Sequence, residues 1–89
     1  MKITAIKCKS CGDIIWSRAQ YDFNWCTCES VAIDGGIKPH KFLGDTGSYE
    51  VIEIELDITE GDAYIDWNSR IDKLGIIHTK DETEFLGNI

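Results

Sequence analysis

Four cysteines fall into two close pairs, Cys8-Lys9-Ser10-Cys11 followed by Gly12, and Cys26-Thr27-Cys28. In the first pair, two intervening residues let the chain turn so that both sulfurs address one ion. Gly12 then supplies the left-handed residue that such a turn requires. The second pair is a C-x-C, a tighter bite that can still chelate. Fourteen residues lie between the pairs, enough for a hairpin that brings them together. Four thiolates form a complete tetrahedral set, so the expected cofactor is a structural Zn²⁺ held by Cys8, Cys11, Cys26 and Cys28. Such a site is closed and leaves no position for an activated water. Two readings compete with it. One is iron or an Fe–S cluster on the same sulfurs. The other is a thioredoxin-like redox pair at Cys8 and Cys11, which would have to open a helix after a strand, whereas Ile14-Ile15-Trp16 reads as strand.

Two further groups of side chains are suited to recognition. Trp16, Tyr21, Phe23 and Trp25 lie between the cysteine pairs, with Lys7, Lys9 and Arg18 nearby. Aromatic rings interleaved with bases are what stacking on a nucleobase requires. The competing reading packs these rings over the metal knuckle as core. Glu53, Glu55 and Asp57 form a second group, a ladder of carboxylates on one face of a strand. Such a ladder is either solvated decoration that discourages edge pairing or a contact surface for a basic partner. His40 and His78 are expected at or near the surface, because four sulfurs already fill a metal shell. The chain has no nucleophile elbow, P-loop, dinucleotide fingerprint or H-E-x-x-H motif, so no catalytic residue is assigned and an enzyme is not expected.

The elements that must position these groups are legible in outline. Residues 2–7 alternate, with Ile3, Ala5 and Lys7 on one side and Thr4 and Ile6 on the other, a strand entering the first knuckle. Residues 14–18 read as the returning strand, 19–25 as a loop or short extension, and 30–33 as a third strand. Asp34-Gly35-Gly36 stops that strand in a turn. Over residues 50–58, Ile52, Ile54, Leu56 and Ile58 alternate with Glu53, Glu55 and Asp57, the period of a half-buried strand. The period then changes. Tyr64, Trp67, Ile71 and Leu74 make one stripe of a helix over about 62–74, with Asp62 as its cap, Gly75 as its stop and the two aromatics in the core. Residues 76–79 suit a last short strand, and the acidic tail from Asp81 is expected to fray. The fold class is therefore α+β: a small zinc-ribbon-like hairpin or sheet, and one C-terminal helix packed on a short antiparallel sheet.

Eighty-nine residues suit a single domain, with residues 1–41 as its zinc-knuckle part and 42–89 as its acidic strand-helix part. A chain of this length buries only roughly 60–65% of its unfolded surface, so a metal, disulfides or oligomerisation is needed as reinforcement. The N-terminus lacks the apolar core of a signal peptide, and no run approaches the roughly 20 apolar residues that span a bilayer. A cytoplasmic protein with reduced thiols is the expectation. The net charge of −7 is uneven. Residues 1–41 carry six bases and four acids, and residues 42–89 carry three bases and twelve acids. Four thiolates with one Zn²⁺ bring the first part to about neutral. The acidic second part repels a polyanion, which argues against non-specific nucleic-acid binding by the whole chain.

The string Lys7-Cys8-x-x-Cys11-Gly12, Asp22-Phe23-x-x-Cys26-x-Cys28 and Val31-Ala32-Ile33-Asp34-Gly35-Gly36 resembles a family of small uncharacterised proteins of phages, prophages and Firmicute-type bacteria. Asp66-Trp67-Asn68-x-Arg70 followed by Gly75 extends the likeness over most of the chain. This chain departs from the pattern at Glu29, where the family commonly has glycine. The resemblance implies a cysteine-bound metal and a mobile-element setting, without an activity. Three functions then stand side by side. The first is a non-enzymatic factor that binds and modulates a host protein, such as a defence or transcription component. The second is a module that sequesters a nucleotide or signalling molecule through the aromatic and basic cluster, with a homo-oligomer interface as one place for it. The third is nucleic-acid binding by the N-terminal ribbon, through Lys7, Lys9 and Arg18.

Overall fold

The computed structural model describes residues 1–78. Strand β1 (Lys2–Cys8) is the organising element. It pairs antiparallel with β2 (Asp13–Ile15) on one side and with β6 (Tyr49–Glu55) on the other. The short strand β7 (Ile76–His78) adds to the far side of β2, giving a four-stranded sheet in the order β6-β1-β2-β7. A second antiparallel sheet, β3-β4-β5, is built from β3 (Asn24–Trp25), β4 (Ala32–Asp34) and β5 (Lys41–Leu43). A 3₁₀ turn (Thr46–Ser48) leads into β6, and one helix, α1 (Glu60–Asn68), follows it. Among the described residues the architecture is α+β, with two antiparallel sheets and one helix.

The alternation in β1 explains the two apolar clusters. Ile3 and Ala5 point to one face, where they meet Trp16 and Ala63 of α1, flanked by Ile52 and Ile54 of β6. Ile6 and Cys8 point to the other, where Ile15, Cys26, Val31 and Ile33 complete a second cluster. β1 is thus covered on both sides, by the helix layer on one and by the second sheet on the other. β6 keeps the expected period of 2, with Ile52 and Ile54 half-buried and Glu53 and Glu55 exposed, but it ends at Glu55 instead of 58, so Asp57 falls beyond the strand.

The helix differs from its expected position. It begins at Glu60, because Thr59 and Asp62 form a reciprocal capping box: the Thr59 hydroxyl accepts from the Asp62 N–H at 3.1 Å, and the Asp62 carboxylate accepts from the Thr59 N–H at 3.0 Å. It ends at Asn68, well short of Leu74. The Asp66 carboxylate takes hydrogen bonds from the backbone N–H groups of Lys73 and Leu74, and Arg70 and Asp72 adopt left-handed backbone at φ 56° and 55°. Gly75 is not the helix stop. It is buried where a side chain would press on Asn24 Nδ2 at 2.8 Å and Arg18 Nε at 3.0 Å. Nor do Tyr64 and Trp67 enter the core. The helix buries Ala63 and Asp66, leaves Trp67 half-buried and exposes Tyr64 by 51%. The expected strand over 14–18 ends at Ile15, and that over 30–33 shifts to Ala32–Asp34. Thr79 and the acidic tail lie outside the described residues.

Candidate metal centre

Each cysteine pair sits at the tip of a hairpin, one from each sheet. Cys8 ends β1, and Cys11 lies in the turn before β2. The Gly12 N–H reaches back to the Cys8 carbonyl at 2.9 Å with Gly12 at φ 79°. Cys26 follows β3 directly, and Cys28 lies in the turn before β4. There the Glu29 N–H bonds the Cys26 carbonyl at 2.9 Å, with Glu29 itself in the left-handed region at φ 59°. Both turns place a left-handed residue directly after the second cysteine, although the closing bond spans four residues in the first and three in the second, and Glu29 stands at a position whose backbone favours glycine. Cys26 N–H closes the second tip by donating to the Val31 carbonyl at 3.1 Å.

The four Sγ atoms lie within 4.8 Å of one another. Cys28 Sγ is 3.6 Å from Cys8 Sγ and 3.5 Å from Cys26 Sγ. A tetrahedron with metal–sulfur bonds of about 2.3 Å has edges of about 3.8 Å, so the set is spaced for one ion and all four thiols are free of disulfide bonds. Cys8 and Cys26 are buried, Cys11 is half-buried and Cys28 is exposed. These residues could hold a metal ion with soft, all-sulfur coordination. Bound there, the ion would join the two sheets at their tips.

The protons on these sulfurs are set by close neighbours. Burial pushes the Cys8 thiol up, but hydrogen bonds from the Ser30 hydroxyl and the backbone at Cys11 and Ser10 outweigh it and bring Cys8 to about 6. The Ser30 hydroxyl lies 3.4 Å from Cys8 Sγ and 2.9 Å from Cys28 Sγ, and the Ser30 hydroxyl and backbone lower the Cys28 thiol as well. Burial pushes Cys11 up to about 12. An arriving cation must displace the Cys11 proton, so binding releases protons.

Two supporting residues carry no signal in the cysteine spacing. Ser30 is one; its place two residues after Cys28 is a cue only once the turn is known. Asp13 is the other. Its buried carboxylate accepts from the Thr27 N–H at 2.9 Å and faces His78 Nδ1 at 3.0 Å.

The aromatic and basic cluster expected beside the metal is divided. Trp16 is fully buried, its indole N–H donating to the Leu74 carbonyl at 2.6 Å. Arg18 is also buried. Its Nε bonds Asp22 at 2.7 Å, and its Nη1 bonds Asp66 at 2.7 Å and Asp72 at 3.0 Å. Both side chains are engaged by contacts within the chain. Phe23 and Trp25 remain partly exposed and pack on one another at 5.5 Å between ring centroids, while Tyr21 turns to a separate cleft. Lys7 and Lys9 stay exposed on β1 and the first turn. The carboxylates of Glu53, Glu55 and Asp57 are exposed, with Lys2 at 3.4 Å from Glu53. His40 and His78 are exposed, as expected.

Among known protein families, the one described as Domain of unknown function (DUF7695) matches residues 1–44. The match covers all four cysteines and the Asp34-Gly35-Gly36 turn, so the chain is similar to that family over its metal half. No curated protein and no solved structure matches the chain. No described helix is long and apolar enough to cross a membrane.

Proposed function

We propose that this chain is a small non-enzymatic interaction protein, pinned by a structural zinc ion, that docks a basic partner protein on its acidic outer strand. The observation that carries the reading is the position of β6. It is paired with β1 over its whole length and, among the described residues, forms the edge of the four-stranded sheet on its other side. An edge strand offers backbone N–H and C=O groups to an incoming segment. Glu53 and Glu55 on β6, with Asp57 just beyond its end, favour a segment carrying Lys or Arg, and Val51, exposed by 51%, adds apolar contact. The Lys2–Glu53 pair is largely exposed and competes weakly with such a partner.

Zinc suits the four-thiolate set, whose task here is to hold two sheet tips together without redox chemistry. A four-sulfur shell has no open position for substrate, which supports the non-enzymatic reading. The resemblance to small phage and prophage proteins makes a host protein, a defence or transcription component in the host cytoplasm, the partner class to test first.

The test compares the zinc-loaded chain with its Glu53→Lys, Glu55→Lys variant as baits for host lysate, followed by binding assays on the recovered protein. A partner with a basic surface that the variant and about 0.5 M salt both release supports the reading. A partner held equally by both baits, or none at all, overturns it.

A further inference from the structure

Beside the metal half, the loop at 18–21, the turn at 35–40 and helix α1 enclose a cleft of about 830 Å³, within the range of roughly 300–1,000 Å³ typical of small-molecule sites. Its walls carry rings that the core does not use. Tyr64 and Trp67, one helical turn apart, meet edge to face at 5.8 Å and 63°. Tyr21, exposed by 77%, lines the cleft from the loop. Exposed rings gathered in a concavity offer π-faces to a planar group.

The cleft is also held in shape before any ligand arrives. Gly35 and Gly36 line it with φ of 114° and 91°, and a side chain on Gly35 would collide with the His40 ring. The buried Ser17 hydroxyl accepts from the Gly36 N–H at 2.8 Å and reaches the Asp22 carbonyl at 2.7 Å. Arg18 in turn locks Asp22 to Asp66 of α1. Turn, loop and helix are thus tied together by buried polar bonds, which lowers the ordering cost of binding. Lys38 and His40 stand at the cleft without an ion pair among the described residues, against the one carboxylate of Glu60. Arg18, although it also lines the cleft, is already neutralised by Asp22, Asp66 and Asp72.

We propose that this cleft binds a mononucleotide, its base against Tyr64 and Trp67 and its phosphate toward Lys38 and His40. The inference goes beyond the partner-docking reading and shares no residue with it. A long polyanion is disfavoured by the acid surplus of residues 42–89, which sets a free nucleotide above a nucleic-acid strand.

Calorimetry on the metal-loaded full chain, titrated with AMP, GMP, CMP, UMP, adenosine, inorganic phosphate and a short single-stranded RNA, tests it. At least one mononucleotide should bind one to one. Trp67→Ala should weaken it about five- to 150-fold, the range for loss of one base stack, and so should Tyr64→Ala, whose half-exposed ring lies outside the buried core. Lys38→Ala should weaken the nucleotide more than the matching nucleoside. No binding across the panel, binding of RNA alone, or affinity indifferent to both aromatic variants would overturn the proposal.

Discussion

The Asp13 carboxylate accepts a hydrogen bond from the Thr27 backbone N–H at 2.9 Å, joining the two cysteine turns through a contact that involves no sulfur. Asp13 stands two residues past Cys11, and Thr27 lies between Cys26 and Cys28. The other carboxylate oxygen faces His78 of β7 at 3.0 Å. Burial pushes the Asp13 carboxyl up, but the Thr27 hydroxyl and N–H, together with His78, hold it below the usual carboxylate range. The group is therefore a charged brace between the two halves of the metal site.

Replacing that brace should affect both the fold and the metal. Asp13→Ala leaves the Thr27 N–H without its acceptor and should cost about 2 kcal/mol in thermal unfolding. It should also weaken metal binding about tenfold in a chelator competition, the scale for loss of an outer support. Asp13→Asn retains an acceptor and should lose less on both counts.

Glu29 should respond in the opposite sense. Its φ of 59° lies in the left-handed region, which costs an ordinary residue roughly 1 kcal/mol. Glu29→Gly should raise stability by up to about 1 kcal/mol in urea unfolding, less the entropy that glycine adds to the unfolded chain, without loss of metal affinity. Glu29→Val, β-branched in the same position, should destabilise.

The Arg18 cluster fixes where the helix ends. Arg18→Met would leave Asp22 and Asp66 buried without their cation, at a cost of about 3–5 kcal/mol, and circular dichroism should show the chain largely unfolded at room temperature. Adding Asp66→Asn to that variant should recover part of the loss, because it removes one stranded charge.

Acid should expose the same cluster. Burial pushes the Asp66 carboxyl up, but Arg18 and the N–H groups of Lys73 and Leu74 hold it below its usual range. A carboxyl depressed by folding contributes stability that is present above its unfolded value of about 3.9 and is lost as pH falls through the lower folded value. Denaturant midpoints of wild type and Asp66→Asn should therefore converge as pH drops from about 5 toward 2.

How much of this was legible in the sequence depended on how local its cause was. The knuckles and β6 were legible because spacing and a period of 2 record them directly. The helix was legible from its 3.6 period, but its end was not, because that end is set by Asp66 meeting Arg18 from 48 residues away. Nothing in the local stripe of Tyr64, Trp67, Ile71 and Leu74 reveals that long-range pair, which ends the helix and turns its aromatics outward. The local sequence left Trp16 open between core and recognition and grouped Arg18 with the free bases, because their partners, Asp66 and the Leu74 carbonyl, stand 48 and 58 residues away. The turn at Glu29 was hidden for the opposite reason: an unfavourable residue stands where backbone geometry calls for glycine.

In the proposed role, Cys8, Cys11, Cys26 and Cys28 together hold one zinc ion that joins the two sheets. Metal analysis of the chain as purified, combined with sulfur-coordination spectroscopy of its cobalt-substituted form and melting before and after chelation, tests it most directly. One zinc per chain, four-thiolate coordination, and a folded state lost when the metal is removed are the expected results. A metal-free chain that is folded, monomeric and equally stable with or without zinc would contradict it.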